Sequence, residues 1–290
     1  MISEALQHCH GVGPFRLAKL HAAGVRSWYD VLAQTEQIST KWRAELVAEC
    51  RRCLAALDAE DIQYFVDRLA PEDKWRILDR FFDQAAFFDI ETLGLNYDAP
   101  ITVIVCWHHG KLSSFVEHEN LDEFLTFIDR VKLLVSFNGN AFDVPRVLSA
   151  FHIPALPCPH LDLRWPCYHH GFSGGLKEIA RRLGIERPAD LQDASGELAV
   201  QLWQTWRADN DYEAREYLIR YCAADVLLLI AIAHRLTGRD PSWADDLWSA
   251  LPSVSKPPAL SQRVPVREQI VGFGVGTPMR IRAERRKLVG

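Results

Sequence analysis

Four carboxylates and one phenol stand out by their types and spacing. Asp89 and Glu91 flank a single residue at the end of the apolar run Ala85–Ile90. Residues two apart on a strand project the same way, so these two acids point together. Asp143 lies in SFNGNAFDVP, just after the buried-type run Leu133–Phe137, where the chain turns into a helix. Tyr221 and Asp225 sit four apart in YCAAD, on one face of a long helix. Carboxylates converging from separate segments repel one another strongly unless cations lie among them. Hard divalent ions such as Mg²⁺ and Mn²⁺ take oxygen ligands of this kind. Two such ions roughly 3.5–4 Å apart neutralise a phosphate, activate water and stabilise a leaving oxygen. The chemistry indicated is phosphodiester hydrolysis. Each residue also has an ordinary structural reading. An Asp after a strand caps or turns the chain, Asp225 can serve a neighbouring backbone group, and Tyr221 can fill a core.

The elements that must position these groups fall into three zones. Residues 1–80 read as a small all-helical domain, with apolar positions at three- and four-residue spacing (Leu17, Leu20, then Leu46, Leu54, Leu57). Pro71 separates its last helix from the approach to the next domain. Residues 81–238 alternate strands and helices. Strands are predicted at Ala85–Ile90, Ile101–Trp107, Leu112–Glu117 and Leu133–Phe137, with a turn at His109–Gly110. Helices are predicted over 121–131, 142–151, 176–183, 197–207 and 212–236, with a Pro-rich connection after 151. This is an α/β pattern, and alternation alone permits several such folds. Residues 239–290 carry Pro241, Pro252, Pro257, Pro258, Pro265 and Pro278 and read as an irregular tail without a core of its own.

With 290 residues, the chain can hold one full α/β domain and a smaller unit. Its 48% apolar and 24% charged residues suit a folded soluble protein. No apolar stretch reaches the roughly 18–20 residues that cross a bilayer; the longest is Val226–Ala233. The N-terminal residues lack a basic region followed by an apolar core, so no signal peptide, no membrane and a cytoplasmic location are expected. Seven irregularly spaced cysteines argue against a disulfide framework. Cys50 and Cys53 form a CxxC, but Glu49, Arg51 and Arg52 make that segment read as a solvated helix. The run from Cys158 to His170 has residue types that suit zinc in no common spacing. Charge is uneven. Residues 81–253 carry net −10, which suits a site that gathers carboxylates, whereas residues 254–290 carry net +6, which suits a polyanion or a solvated tail.

FDIET (Phe88–Thr92), NGNAFD (Asn138–Asp143) and YCAAD (Tyr221–Asp225) resemble, in order and spacing, the three exonuclease motifs of the DEDD superfamily. Those are proofreading-type 3′→5′ exonucleases with a ribonuclease-H-like fold, a mixed sheet flanked by helices. A Tyr four residues before the last Asp marks the tyrosine subclass; the place of the histidine subclass's His holds Arg220 here. PHLDL (Pro159–Leu163), GGLKEIARRLGI (Gly174–Ile185) and the N-terminal layout resemble the YprB-like, ribonuclease-H-like proteins. The resemblance implies that Asp89, Glu91, Asp143 and Asp225 bind two divalent ions, Mg or Mn. It implies that Tyr221 orients or deprotonates the attacking water, with release of nucleoside 5′-monophosphates from DNA or RNA. Because a free phenol has a pKa near 10, metal must do most of the water activation and Tyr221 mainly positions. Asn138 and Asn140 are candidate contacts to the terminal nucleotide or ordinary turn residues, and Asp162 reads either as an acid behind the ligands or, more readily, as structural. The alternatives are a nucleic-acid-binding module with catalysis lost, disfavoured by the presence of all five groups, and an endonuclease or other phosphohydrolase of the same fold.

Gly11-Val12-Gly13-Pro14 followed by FRLAKLHAAGV resembles a helix-hairpin-helix. In that motif a glycine hairpin lets backbone N–H groups at a helix N-terminus approach a phosphate. Arg16 and Lys19 would add sequence-independent attraction. Pro14 fits the first helical turn and Gly24 its stop. The plainer reading is a glycine turn that packs against another element. The lone GFGVG of Gly272–Gly276 is a weaker phosphate signal.

Overall fold

The helical part of the chain starts from punctuation visible in the residues. The structure, a computed structural model, describes residues 1–96, 98–239 and 241–254, the stretch 241–245 by backbone alone. The expected tail beyond 254, with Gly272–Gly276, lies outside the described residues. A 3₁₀ turn (Ile2–Glu4) leads to α1 (Pro14–Ala22), α2 (Trp28–Ala33), α3 (Thr40–Asp58), α4 (Ile62–Arg68) and α5 (Trp75–Phe81). Gly13 caps α1, with Pro14 as its first residue. Ser27 and Asp30 cap α2 reciprocally, and Asp61 accepts from Tyr64 N to cap α4. Trp28 stacks on Phe65 with centroids 5.9 Å apart, and Phe81 packs tilted against Phe65 at 6.2 Å. One sequence expectation is corrected here. The Glu49–Cys53 face of α3 is not solvated: Cys50 and Cys53 are fully buried and Glu49 is 4% exposed. Burial of Glu49 is tolerated because Arg52, Arg68 and Tyr64 all donate to its carboxylate.

Five strands follow in one mixed sheet, with order β3-β2-β1-β4-β5. They are β1 (Ala85–Thr92), β2 (Ile101–His108), β3 (Lys111–Val116), β4 (Leu133–Ser136) and β5 (His160–Asp162). β1, β2 and β3 form an antiparallel meander; β4 and β5 run parallel to β1. Two short helices, α6 (Glu123–Ile128) and α7 (Asp143–Ala150), cover one face. There Phe88, Ile90, Ile104 and Phe115 meet Phe124, Ile128 and Val147. The chain then runs through α8 (Arg164–His169), α9 (Leu176–Arg182), α10 (Gly196–Asp209) and α11 (Tyr212–Thr237). α11 packs on the opposite face, against β1 and β2, and also against α5, α9 and α10. By length and hydropathy α11 is apolar enough to span a membrane, but 89% of its most apolar window is buried in this fold. Its apolarity is that of a core helix. Residues Pro241–Ala250 form a 3₁₀ segment against α11, and Arg220 Nη1 donates to Pro252 O at 2.8 Å.

The predicted strands and the longer helices appear close to their expected bounds. β5 and α8, within and just after the Pro-rich connection, had no periodic signal: three residues of strand are too few to show alternation. β5 supplies Asp162, whose carboxylate accepts from the backbone N–H groups of Asn138 (2.8 Å), Asn140 (3.1 Å) and Arg164 (2.9 Å). That bears out its structural reading. Gly139 sits in the same turn, where a Cβ would overlap Ser136 Oγ and come within 3.2 Å of His160 Nε2. Ser136 and His160 share a hydrogen bond there at 2.8 Å. Gly139→Ala should therefore cost about 1–3 kcal/mol by overpacking and lower the melting temperature by roughly 2–4 °C per kcal/mol. Gly13→Ala, whose added methyl meets nothing within 4 Å, should melt like wild type; equal melting of the two variants by calorimetry would refute this account of the turn.

Candidate active site

Alternation along β1 sorts its side chains. Ala86, Phe88 and Ile90 enter the core under α6 and α7. Asp89 and Glu91 therefore share the other face, towards α11. Their carboxylates and the Cys222 thiol of α11 bring ligand atoms within 4.8 Å of one another. Cys222 Sγ lies 3.4 Å from Asp89 O and 3.6 Å from Asp89 Oδ2. Because β4 is parallel to β1, its carboxyl end opens at the same edge of the sheet, the usual place for a ligand crevice in such sheets. Asp143 arrives there as the first residue of α7, 3% exposed. Asp225 comes from α11. All four acids line one open cleft of about 820 Å³.

Tyr221 stands one helical turn before Asp225 and is 2% exposed; it is not among the residues lining the cleft. Its phenol oxygen accepts from Lys177 Nζ at 2.6 Å. Lys177 Nζ also lies 3.3 Å from Asp225 Oδ2, and Arg187 Nη2 lies 3.1 Å from Asp225 Oδ1. The Arg187 contact is close but misaligned: neither Asp225 Oδ1 nor Arg187 Nη2 makes a hydrogen bond. Asp225 Oδ1 is thus held by charge, a buried carboxylate oxygen without an aligned donor. Lys177 and Arg187 are neighbours of Tyr221 and Asp225 that the sequence reading missed. Lys177 lies inside the quoted GGLKEIARRLGI run, but nothing in its spacing aims it at Tyr221.

Burial and mutual repulsion set the electrostatics. Burial first, and then Asp143, Asp225 and Glu91, push the Asp89 carboxyl well above the usual carboxylate range. Glu91 rises to about 8, through burial and then Asp225. Asp143 rises to about 7, through burial above all. Burial and the acids Asp225, Glu91 and Asp89 also push the Tyr221 phenol upward, so it cannot act as a ready base. The donor set, all carboxylate oxygens around an unsatisfied Asp225 oxygen, fits hard divalent cations of the Mg²⁺ or Mn²⁺ class.

The cleft's other wall is aromatic. Trp165 and Tyr168 of α8 are 53% and 57% exposed, and Phe137, Phe142 and Phe172 also line it. Asn138, at φ +62°, lines the cleft and accepts from Arg164 Nη1. Asn140 is turned to His160, 3.1 Å from Nδ1. The sequence-predicted hairpin residues do not join this cleft. Gly11 has φ +75°, and Arg16 Nη1 donates to its carbonyl at 2.7 Å with the guanidinium 5.5 Å from the Trp42 ring centre. Arg16 thus pins the hairpin, while Lys19 is exposed with its ammonium 4.5 Å from the Phe15 ring centre. Neither the Cys158–His170 run nor Cys50 falls in a three-ligand group of His, Cys, Asp or Glu among the described residues, whereas Cys53 does.

The raised carboxyl values predict how stability follows pH without metal. In the folded chain Glu91 and Asp143 hold protons up to about 8 and about 7, against ordinary values of 4.5 and 3.8. The folded state then binds more protons than the unfolded one across that window. The contribution of these two groups to stability is full below pH about 4 and is lost as pH rises to about 8. Chelator-treated protein should melt lower at the alkaline end, by several degrees at roughly 2–4 °C per kcal/mol, and Mg²⁺ or Mn²⁺ should restore it. A melting temperature that rises with pH in chelator would contradict the burial of these acids.

The solved structure of the family B DNA polymerase from the hyperthermophilic archaeon Pyrobaculum calidifontis is similar over 52% of this chain and 24% of its own, at 18% identity and a TM-score of 0.42. No curated protein matches the chain. Residues 86–237, which carry the whole sheet, all four acids and Tyr221, match the model of the family described as RNase_H superfamily. The sheet of five mixed strands between layers of helices is the fold of that group, and over more than half its length the chain belongs to the RNase_H superfamily.

Proposed function

We propose that this chain is a metal-dependent 3′→5′ exonuclease of the DEDD tyrosine subclass that shortens single-stranded nucleic acid and releases nucleoside 5′-monophosphates. The observation that carries the reading is convergence. Acids from β1, the β4–α7 turn and α11 line one cleft, with Tyr221 one turn from Asp225. Asp89, Glu91, Asp143 and Asp225 would hold two divalent ions of the Mg or Mn class. Bound there, such ions supply charge neutralisation at the phosphate and an acidified water. The chain's own groups do the rest. Lys177 donates to the Tyr221 oxygen and so fixes the phenol's rotation, leaving its hydrogen to orient the attacking water. Trp165 and Tyr168 offer exposed ring faces, and stacking on such faces suits unpaired bases of any sequence. Asn138 on the cleft wall is placed to meet the terminal nucleotide.

We further assign a supporting role to residues 1–80 as a helix-hairpin-helix element, with the first N–H groups of α1 as the phosphate contact. A methyl added at Gly13 meets open space, so Gly13→Ala should leave melting unchanged yet weaken nucleic-acid binding and flatten its salt dependence. Unchanged affinity across a salt titration would reduce the hairpin to a packing element.

The central test uses 5′-labelled single-stranded DNA and RNA with Mg²⁺, Mn²⁺ or chelator. A metal-dependent ladder that shortens from the 3′ end, absent in Asp89→Ala and Asp143→Ala, is expected, and circular single strands should survive. Cleavage of circles would indicate an endonuclease, and intact binding without cleavage a binding module. Tyr221→Phe should slow turnover by roughly 10²–10⁴-fold, as for loss of a proton-handling or orienting group, with metal affinity retained; lost metal binding would mean that its role is ligation.

A further inference from the structure

Given the exonuclease reading above, on which this rests, we propose that Arg164 is a phosphate clamp for the strand upstream of the scissile linkage. With Trp165 and Tyr168 it forms a second nucleotide subsite in the cleft. Among the described residues that line the cleft, Arg164 is the one with a cationic side chain, and it is exposed. Its guanidinium makes one hydrogen bond, from Nη1 to Asn138 Oδ1, and no ion pair. Four carboxylates share this cleft, yet none neutralises it. A cation held by a neutral amide oxygen keeps its charge for an anion that enters. The guanidinium is also framed from behind. Asp162 Oδ1 accepts from the backbone N–H groups of both Asn138 (2.8 Å) and Arg164 (2.9 Å). Two residues whose side chains bond each other are thus tied to a single carboxylate oxygen, on a residue that is itself 7% exposed.

α8 sets the rest of the subsite. Pro166 and Cys167 anchor its inner flank, whereas Trp165 and Tyr168, three residues apart, share the exposed one. Their rings stand edge to face with centroids 6.0 Å apart. A guanidinium followed directly by two open rings gives a phosphate and an unpaired base their separate partners. The scissile phosphate belongs with the four acids on the β1 and α11 wall. Arg164, on the α8 wall, is left for the next phosphate of the same strand. Full affinity then requires a strand with at least two linkages, because a shorter one reaches the acids without reaching Arg164.

The test compares wild type, Arg164→Gln and Arg164→Lys on short single strands and on a dinucleoside monophosphate, which carries the scissile phosphate alone. On the longer strands Arg164→Gln should raise KM about 10-fold, the lower range for a hydrogen bond to a charged group, with kcat unchanged. In chelator its binding should lose about 0.7 from the slope of log affinity against log salt, one phosphate contact on a single strand. On the dinucleoside monophosphate it should match wild type. Arg164→Lys should recover most of the affinity, since a point charge still meets a phosphate. A neutral methylphosphonate at the second linkage from the 3′ end should weaken wild type and leave Arg164→Gln unaffected. An unchanged KM and salt slope in Arg164→Gln would overturn the clamp. So would an equal loss on the dinucleoside, which would make Arg164 a support for Asn138 and nothing more. Should Arg164→Gln fail to fold, wild type decides: indifference to the methylphosphonate at the second linkage refutes the clamp. Wild type that binds strands but cleaves none would sink the exonuclease reading alone, because the salt-slope and methylphosphonate measurements still report on Arg164.

Discussion

Repulsion among carboxylates held out of water at one edge of the sheet is the constraint to which the rest of this structure answers. Asp89 and Glu91 leave β1 on the same face, Asp143 opens α7 beside them, and Asp225 faces them from α11. Charges so close and so little solvated would drive the segments apart if all were ionised. The chain meets this in two ways. Protons stay on Asp89, Glu91 and Asp143 well above the usual range. Lys177 and Arg187 approach Asp225 from α9 and the loop beyond it. Both are arrangements that divalent cations would supersede, and Asp225 Oδ1 is held by the charge of Arg187 without an aligned hydrogen bond.

Holding acids together against that force needs rigid supports, and the fold supplies them from unlike parts. β1 is flanked by β2 on one side and β4 on the other, so it can shift in neither direction without breaking a ladder. The turn that delivers Asp143 is fixed from beyond itself: Asp162 of β5 takes three backbone N–H groups, two of them in that turn. Gly139 leaves room for Ser136 and His160 to bond beneath it. α11 is buried along nearly its whole length, so Tyr221 and Asp225 cannot drift. Strength of packing is here converted into precision of position.

Donor chemistry divides the molecule. Oxygen ligands collect at the sheet edge, in a wide cleft with aromatic walls. Sulfur and imidazole collect among the N-terminal helices, against α3, with guanidinium groups beside them. The N-terminal helices are also physically continuous with the rest, since α5 packs on α11 and Arg76 reaches back to Met1 O and Glu4.

Much of this was legible in the residues. The alternation of apolar runs placed β1 to β4 and the longer helices, because period-2 and period-3.6 burial are local properties of sequence. The Asp89-Ile90-Glu91 spacing alone put two acids on one face, and the four-residue step from Tyr221 to Asp225 put phenol and carboxylate on another. What no local pattern could say is which distant side chains answer them. Lys177 meets Tyr221 across 44 residues of chain, and His8 meets Cys53 across 45. β5 is too short to alternate, and Glu49 looked solvated because its neutralising partner Arg68 lies on another helix. Sequence determined the elements, the acids and their facing. Tertiary structure decided the partners, because pairing of buried charges and thiols depends on distance in space, which the spacing of residues along the chain does not encode.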